Sequence, residues 1–196
     1  MKKTIMYGLL LSQAIFFILL PLWMQLTNYL HPLVIGVVWF GFSFIALFIV
    51  CWVTKEEIRI SAWVFHFTTL FYSMALLILL FFRPNTQKYD TFNLIPFDTI
   101  IFYLSGEVQL LISFYNLGAN IGLFIPFGLY YRYISQKPSF IRMLLITIVL
   151  ICMIEGFQFI TRRGSLDVDD LLLNVLGVSI GYVIYPVFQK VFVMKD

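Results

Sequence analysis

Six long apolar stretches set the strongest limit on the fold of this chain. They lie near residues 4–27, 32–53, 62–82, 116–134, 140–161 and 171–192. A helix needs about 20 mostly apolar residues to cross about 30 Å of hydrocarbon. The composition, with 61% hydrophobic and 12% charged residues, is also outside the range of soluble domains. The sequence therefore predicts an all-α polytopic membrane protein with about six transmembrane helices.

The positions of the basic residues predict the orientation of these spans. If both termini are cytoplasmic, nine of the 13 Lys and Arg residues fall on the cytoplasmic side and four on the outer side. This asymmetry agrees with the positive-inside rule. We therefore expect a multi-pass protein of the cell membrane with both termini in the cytoplasm. The net charge of +3 then follows from topology and gives no support to a nucleic-acid partner.

The connection between the third and fourth spans is too long for a simple link. After Pro96, apolar residues recur at helical spacing as far as Ile112, and Asp98 and Glu107 fall between them. This segment is too polar to cross the membrane. It predicts one or two short amphipathic helices along the outer interface, or a shallow re-entrant element. Such a segment either covers the bundle as a lid or contacts a ligand.

Polar side chains recur at helical spacing within the last three predicted spans. They form one stripe on each span: Asn116 and Asn120; Glu155, Gln158 and Arg162; Asp170, Asn174, Gly177 and Gly181. Counted from the helix ends, the amides and the carboxylate lie roughly 6–10 Å inside the outer surface. We expect them to line an acidic, outward-facing polar cleft.

Most of these polar groups also have a purely structural explanation. The amides can hydrogen-bond across helices, and the two glycines can let helices pack closely. Asp167, Asp169 and Asp170 stand where the sixth span begins, so they can cap free N–H groups and favour the helix dipole. The same three carboxylates are an alternative site for a hard cation. The sequence predicts no cofactor.

Glu155 is the polar residue that packing explains least. An isolated carboxylate at its depth would cost about a few kcal/mol, so it must be protonated, paired or hydrated. Arg162 shares its predicted helix face, and Arg163 can reach it across the helix end. Glu155 is therefore the candidate catalytic residue. A Ser-His-Asp site is excluded, because His31 and His66 lie far from this region.

Five pieces of the sequence resemble the VanZ-like membrane proteins, in order, over roughly residues 65–188. They are Asn93-Leu-Ile-Pro-Phe97, Asn116-Leu-Gly-Ala-Asn120 running into Phe124-Ile-Pro-Phe-Gly128, Glu155-Gly-Phe-Gln158, Arg163, and Asp167-Val-Asp-Asp170 with Asn174 and Gly177. The motif residues carried over by position are Asn93, Pro96, Asn120, Pro126, Glu155, Gln158, Arg163, Asp167, Asp170 and Asn174. The first two spans lie outside the resemblance. It therefore implies an N-terminal two-span addition over residues 1–61 and a four-span VanZ-like domain over residues 62–196.

The resemblance also implies a role in the cell envelope, since the family's named member is associated with teicoplanin resistance in Gram-positive bacteria. We expect the cleft to engage a lipid-tailed ligand in the outer leaflet: a membrane lipid, a lipid-linked wall component or a lipoglycopeptide antibiotic. The expected ligand-binding residues are Asn93, Asn120, Glu155, Gln158, Arg163, Asp167, Asp170 and Asn174. The alternative is a membrane enzyme that acts on a lipid or cell-wall intermediate, with Glu155 as acid or base. A small transporter is a third reading, but no inverted repeat supports it.

Overall fold

The computed structural model of this protein describes residues 3–27, 33–81 and 92–195. Its helices are α1 (Lys3–Ile18), α2 (Leu20–Thr27), α3 (Leu33–Thr54), α4 (Ala62–Phe81), α5 (Asp98–Leu104), α6 (Leu110–Ile134), α7 (Phe140–Ile160) and α8 (Val168–Val191). Short strands are β1 (Ile58–Ser61), β2 (Phe92–Asn93), β3 (Leu166–Asp167) and β4 (Phe192–Lys195). His31 and three of the 13 basic residues counted for the orientation, Lys2, Arg83 and Lys88, lie outside the described ranges.

The described helices confirm an all-α polytopic membrane protein. Four of them contain runs long and apolar enough to cross a membrane: 62–81, 112–134, 140–160 and 168–191. Shorter apolar runs cover residues 5–18 and 38–54, within the first two predicted spans. The fourth span was predicted to start near residue 116, whereas its apolar run starts at residue 112 and its helix at Leu110. Leu111 and Ile112 therefore belong to the spanning helix and not to the amphipathic segment.

The chain divides into two compact units. The terminal unit comprises residues 1–65 and 186–196, and the central unit comprises residues 66–185. This division does not test the predicted domain boundary between residues 61 and 62, which stays a prediction. Each unit has its own internal contacts and is described separately.

Polar and aromatic contacts hold the terminal unit together. The Gln13 amide donates to the Ser43 hydroxyl at 2.9 Å and accepts from the Trp39 indole at 2.5 Å, which joins α1 to α3. Strands β1 and β4 pair in parallel, with Ile58 opposite Phe192. The helical segment is interrupted at Leu19, two residues before Pro21, in agreement with a proline-dependent break in the first apolar stretch.

The central unit has a hydrophobic core built from α4, α6, α7 and α8. Its buried members are Leu76, Leu80, Phe124, Met143, Ile151 and Val178. The Tyr72 hydroxyl on α4 donates to the Leu123 carbonyl of α6 at 2.8 Å. These contacts fix α4, α6, α7 and α8 as one packed bundle of spanning helices.

Helices α6 and α8 approach each other backbone to backbone. A Cβ atom at Gly177 would collide with the carbonyl oxygen of Ile121, and one at Gly181 with the carbonyl oxygen of Ile125. From the other side, a Cβ at Gly128 would collide with the α8 backbone. The contacts advance in the same order along both helices, so α6 and α8 run parallel. The prediction that Gly177 and Gly181 allow close helix packing agrees with this geometry.

Pro186 leaves one backbone carbonyl of α8 without its helical donor, and Arg132 donates to that carbonyl. Pro186 has no N–H, so the carbonyl of Tyr182 lacks its helical donor. The Arg132 guanidinium of α6 donates to that carbonyl at 2.8 Å and also lies 4.8 Å from the centre of the Tyr182 ring. A charged side chain at a helix end thus satisfies a backbone group that the sequence leaves free.

Candidate functional site

Two motif segments that are far apart in sequence meet at one end of the central unit. Strands β2 and β3 pair in parallel, with Phe92 opposite Leu166 and Asn93 opposite Asp167. We call this region the acidic end; its polar residues are Asn93, Thr99, Asn120, Asp167, Asp169, Asp170 and Asn174. Helices α6 and α8 begin there, so the region lies at one membrane face of the bundle.

Asp169 is the most deeply buried residue of the acidic end, with 0% of its surface exposed. Its carboxylate accepts from the backbone N–H groups of Phe97 at 2.6 Å and Ile100 at 3.1 Å. These donors lie at the start of α5, and Phe97 has a left-handed backbone with φ 70°. Asp169 lies in the first turn of α8, as the structural explanation requires for the helix dipole, but its carboxylate caps α5 and not the sixth span, because the paired strands bring α5 to it.

Asp167 does cap the last span, and it also holds the segment before α5. One carboxylate oxygen accepts from the Asp169 N–H at 2.9 Å, which is an N-cap bond for α8. The other accepts from the Thr99 hydroxyl at 2.7 Å. Thr99 in turn accepts from the Asn93 amide at 3.1 Å, and the Asn93 oxygen accepts from the Ile95 N–H at 3.1 Å. The hydrogen bonds of Asn93 and Asp167 thus connect the two segments.

Asn120 and Asp170 link α6 to α8. The Asn120 amide donates to a carboxylate oxygen of Asp170 at 2.6 Å. Asn116 lies one turn before Asn120 on the same helix, but its amide donates to the Ile112 carbonyl of α6 at 2.9 Å. The structure therefore brings together two of the predicted ligand-binding residues and leaves Asn116 outside the set.

The buried face of α7 carries Glu155 and Gln158. Glu155 is 8% exposed and takes part in an electrostatic or hydrogen-bonding interaction, so it is not an isolated carboxylate. The Gln158 amide donates to the Leu80 carbonyl of α4 at 3.1 Å. Both side chains continue the core-facing stripe of α7 that contains Met143 and Ile151.

The predicted face for Arg162 is wrong. Helix α7 ends at Ile160, and Arg162 has a left-handed backbone with φ 55°, so helical spacing no longer sets its direction. Arg163 follows in the same turn, and its backbone N–H donates to the Gln158 carbonyl at 2.8 Å. The Arg163 side chain is exposed and has an interaction of its own.

Asn174 differs from its neighbours because its buried amide oxygen finds no hydrogen-bond partner within the described ranges. The residue is 5% exposed. It lies on α8 one turn after Asp170 and three residues before Gly177, both of which contact α6. A helical turn places these three residues on one face, so Asn174 is directed toward α6.

The three carboxylates of the acidic end accept hydrogen bonds from different donors. Asp167 binds Thr99 and its own helix start, Asp169 binds the start of α5, and Asp170 binds Asn120. Among the residues that the structure describes, no three His, Cys, Asp or Glu side chains converge as ligands for a metal ion. Asp167, Asp169 and Asp170 are thus occupied as hydrogen-bond acceptors.

Sequence reasoning missed Thr99 and the role of Asp169 as a clamp. A threonine in a connecting segment carries no distinctive spacing. Both roles depend on the pairing of β2 with β3. Strands of two residues are too short to be recognised in a sequence. The sequence thus identified most polar residues of the acidic end, but not their hydrogen-bond partners, because those come from segments that are distant in the sequence.

Comparison with known proteins identifies the family of this protein. A family model described as VanZ/LLP1 matches residues 65–189, which include the whole acidic end. Protein VanZ from Enterococcus faecium is 30% identical over 78 residues, covering 40% of this chain and 48% of that relative. The chain thus spans about half the length of this curated relative. No solved structure gives a significant match. Because the family match extends over more than half of the chain, the protein belongs to the VanZ/LLP1 family of VanZ-like membrane proteins.

Proposed function

We propose that this protein binds a lipid-tailed ligand at the acidic end, and that it acts in the cell envelope in resistance to lipoglycopeptides such as teicoplanin. The observation that carries the proposal is the unpartnered amide oxygen of Asn174. A buried acceptor without a hydrogen bond costs about 1–3 kcal/mol. A ligand N–H or O–H group that reached this oxygen would remove the cost, which supports a ligand that carries a hydrogen-bond donor.

The surrounding groups define the polar part of such a ligand. Asp167 and Asp170 are partly exposed carboxylates near the start of α8, and Asn174 adds an amide acceptor, whereas Asp169 is fully buried and binds the start of α5. A set rich in acceptors favours head groups rich in donors, such as sugar hydroxyls and peptide amides. Lipid-linked wall components and lipoglycopeptides both carry these groups together with a hydrocarbon tail. The family relationship to VanZ supports a role in resistance, and the ligand class is our proposal.

The proposed orientation places the acidic end at the outer leaflet. Nine of 13 basic residues would then face the cytoplasm, as the positive-inside rule requires. Binding at the outer surface would compete for a membrane-anchored drug or its target and would leave the drug chemically intact. Resistance would then follow from occupancy and not from degradation.

Lipid co-purification tests the binding proposal. Wild type, Asn174→Leu and the control Gly118→Ala, which has open space around the added Cβ, are purified from Gram-positive membranes, and their bound lipids are identified by mass spectrometry. We expect wild type and Gly118→Ala to be enriched in a donor-rich, lipid-linked component relative to the bulk membrane. Asn174→Leu should lose this enrichment. A wild-type lipid profile identical to that of the bulk membrane would contradict the proposal.

The second candidate function is an enzyme of lipid or wall intermediates, favoured by the burial of Glu155 on the core-facing side of α7. A buried carboxyl group can serve as a general acid or base. Glu155→Gln keeps the side-chain volume and removes the charge. If the protein is an enzyme, cells with wild type contain a chemically altered lipid or wall intermediate, and this variant abolishes it. Unaltered intermediates in both strains would reject catalysis.

A further inference from the structure

The segment that contains β2 and α5 has an unusual surface for a connection between helices. Six of its large apolar side chains are between 49% and 67% exposed: Leu94, Ile95, Phe97, Ile101, Phe102 and Leu104. An apolar surface of this kind rarely faces water in a stable protein. The amphipathic pattern read from the sequence thus becomes, in three dimensions, a largely apolar outer face.

The polar backbone groups of the same segment point inward. The N–H groups of Phe97 and Ile100 donate to Asp169, and the N–H of Ile95 donates to Asn93. The N–H of Ile101 donates to the Phe97 carbonyl at 2.8 Å. Irregular backbone enters the membrane only when its polar groups are satisfied within the protein. The buried carboxylate of Asp169 meets that requirement for two of these donors.

The apolar surface also continues onto a spanning helix. Leu104 ends α5, and Leu110 and Phe114 at the start of α6 are 72% and 67% exposed. The exposed apolar side chains of a transmembrane helix contact lipid. Helix α5 contacts α6, so the apolar face of the segment lies beside a helix whose exposed apolar side chains face lipid.

We propose that residues 92–104 insert their apolar side chains into the leaflet next to the acidic end, with Asp169 and Asp167 holding the segment in the inserted shape. The occupant of this surface is lipid hydrocarbon and not a second protein. Interfacial elements of this type bury their apolar face about 5–10 Å into the boundary between head groups and acyl chains. This inference goes beyond ligand binding and does not depend on it.

Quenching by spin-labelled lipids tests the insertion. In a background with Cys51 and Cys152 replaced by Ser, single cysteines at Phe102 and Leu104 carry an environment-sensitive fluorophore, and the protein is reconstituted in phosphatidylcholine vesicles. A cysteine at Gln136, an exposed residue between α6 and α7, is the control. We expect emission at Phe102 and Leu104 to shift to the blue. Lipids with a nitroxide on the upper acyl chain should quench it severalfold more than at Gln136.

Two results would overturn the inference. Quenching at Phe102 and Leu104 no greater than at Gln136, with red-shifted emission, would place the segment in water. Blue-shifted emission that the nitroxide lipids do not quench would show that protein covers the surface. Neither result would bear on the Asn174 ligand site, because lipid co-purification reports on that site separately.

Discussion

At the acidic end, some side-chain oxygens accept hydrogen bonds that stabilise the fold, and one does not. Asp169 accepts two backbone donors, Asp167 accepts from Thr99, and Asp170 accepts from Asn120. These bonds contribute to stability, since each charged acceptor with its donors contributes about 1.5–3 kcal/mol. The amide oxygen of Asn174 contributes no such bond. The buried oxygen of Asn174 therefore adds nothing to folding stability, which is why we propose a binding role for it.

Replacement of Asn174 tests this division. Asn174→Leu keeps the branched shape and the number of heavy atoms while removing the unpaired oxygen. We expect the free energy of unfolding to stay the same or to rise by about 1–3 kcal/mol, because a buried unsatisfied acceptor is lost. Thermal unfolding of the detergent-purified protein measures the change.

Asn120→Leu is the matched control, since it removes the donor to Asp170 and should lower the free energy of unfolding by about 1–3 kcal/mol. If Asn174→Leu proves as destabilising as Asn120→Leu, the Asn174 oxygen has a protein partner and is not a free acceptor. The two variants therefore separate a packing role from a binding role.

At the scale of elements, the close contact of α6 with α8 positions the acidic end. Gly177 and Gly181 let the backbones touch, and the contact lies directly beyond Asn174 along α8. The sequence was sufficient to predict close packing at these glycines, because glycines four residues apart in a span are a local pattern, but it did not identify α6 as the partner helix. It was also sufficient for the existence of the spans, since their length and apolarity are local properties.

The parts that the sequence did not reveal depend on where helices end and which segments meet. Arg162 was assigned to the Glu155 face because α7 was taken to continue, while the helix ends at Ile160. The capping of α5 by Asp169 depends on two-residue strands that join positions more than 70 residues apart. Neither feature leaves a periodic signal in the sequence.

An alanine pair tests the importance of the helix contact. Gly177→Ala places a methyl group against the Ile121 carbonyl, so α6 and α8 must separate. We expect the free energy of unfolding to fall by about 1–3 kcal/mol, the usual cost of overpacking, together with loss of ligand. Gly118→Ala lies in open space on α6 and should be neutral or stabilising by about 0.5–1 kcal/mol. Equal stabilities of the two variants would show that the backbones are not in contact in the membrane.

For the whole molecule, the membrane orientation decides which compounds meet the acidic end. Helix α6 has 25 residues, and Glu107 precedes it while Gln136 follows it, so these exposed residues mark opposite membrane faces. The basic residues predict that Glu107 is outside and Gln136 inside. Only this orientation lets the acidic end meet compounds in the outer leaflet.

Thiol labelling tests the orientation. Single cysteines at Glu107 and Gln136, in a background without Cys51 and Cys152, are exposed to an impermeant thiol reagent on intact protoplasts. We expect labelling at Glu107 and none at Gln136 until the membrane is permeabilised. The reverse pattern would place the acidic end in the cytoplasm and exclude an encounter with extracellular antibiotics.

The most direct test of lipid-tail recognition compares antibiotics with and without an acyl chain. Each buried methylene adds about 0.8 kcal/mol of membrane affinity, so teicoplanin is anchored in the outer leaflet, where we propose that the acidic end lies, and vancomycin is not. Expression in a susceptible Gram-positive host should raise the inhibitory concentration of teicoplanin by a much larger factor than that of vancomycin. Teicoplanin without its acyl tail should behave like vancomycin, and the recovered drug should be chemically unchanged. Equal protection against all three compounds would contradict recognition of the lipid tail.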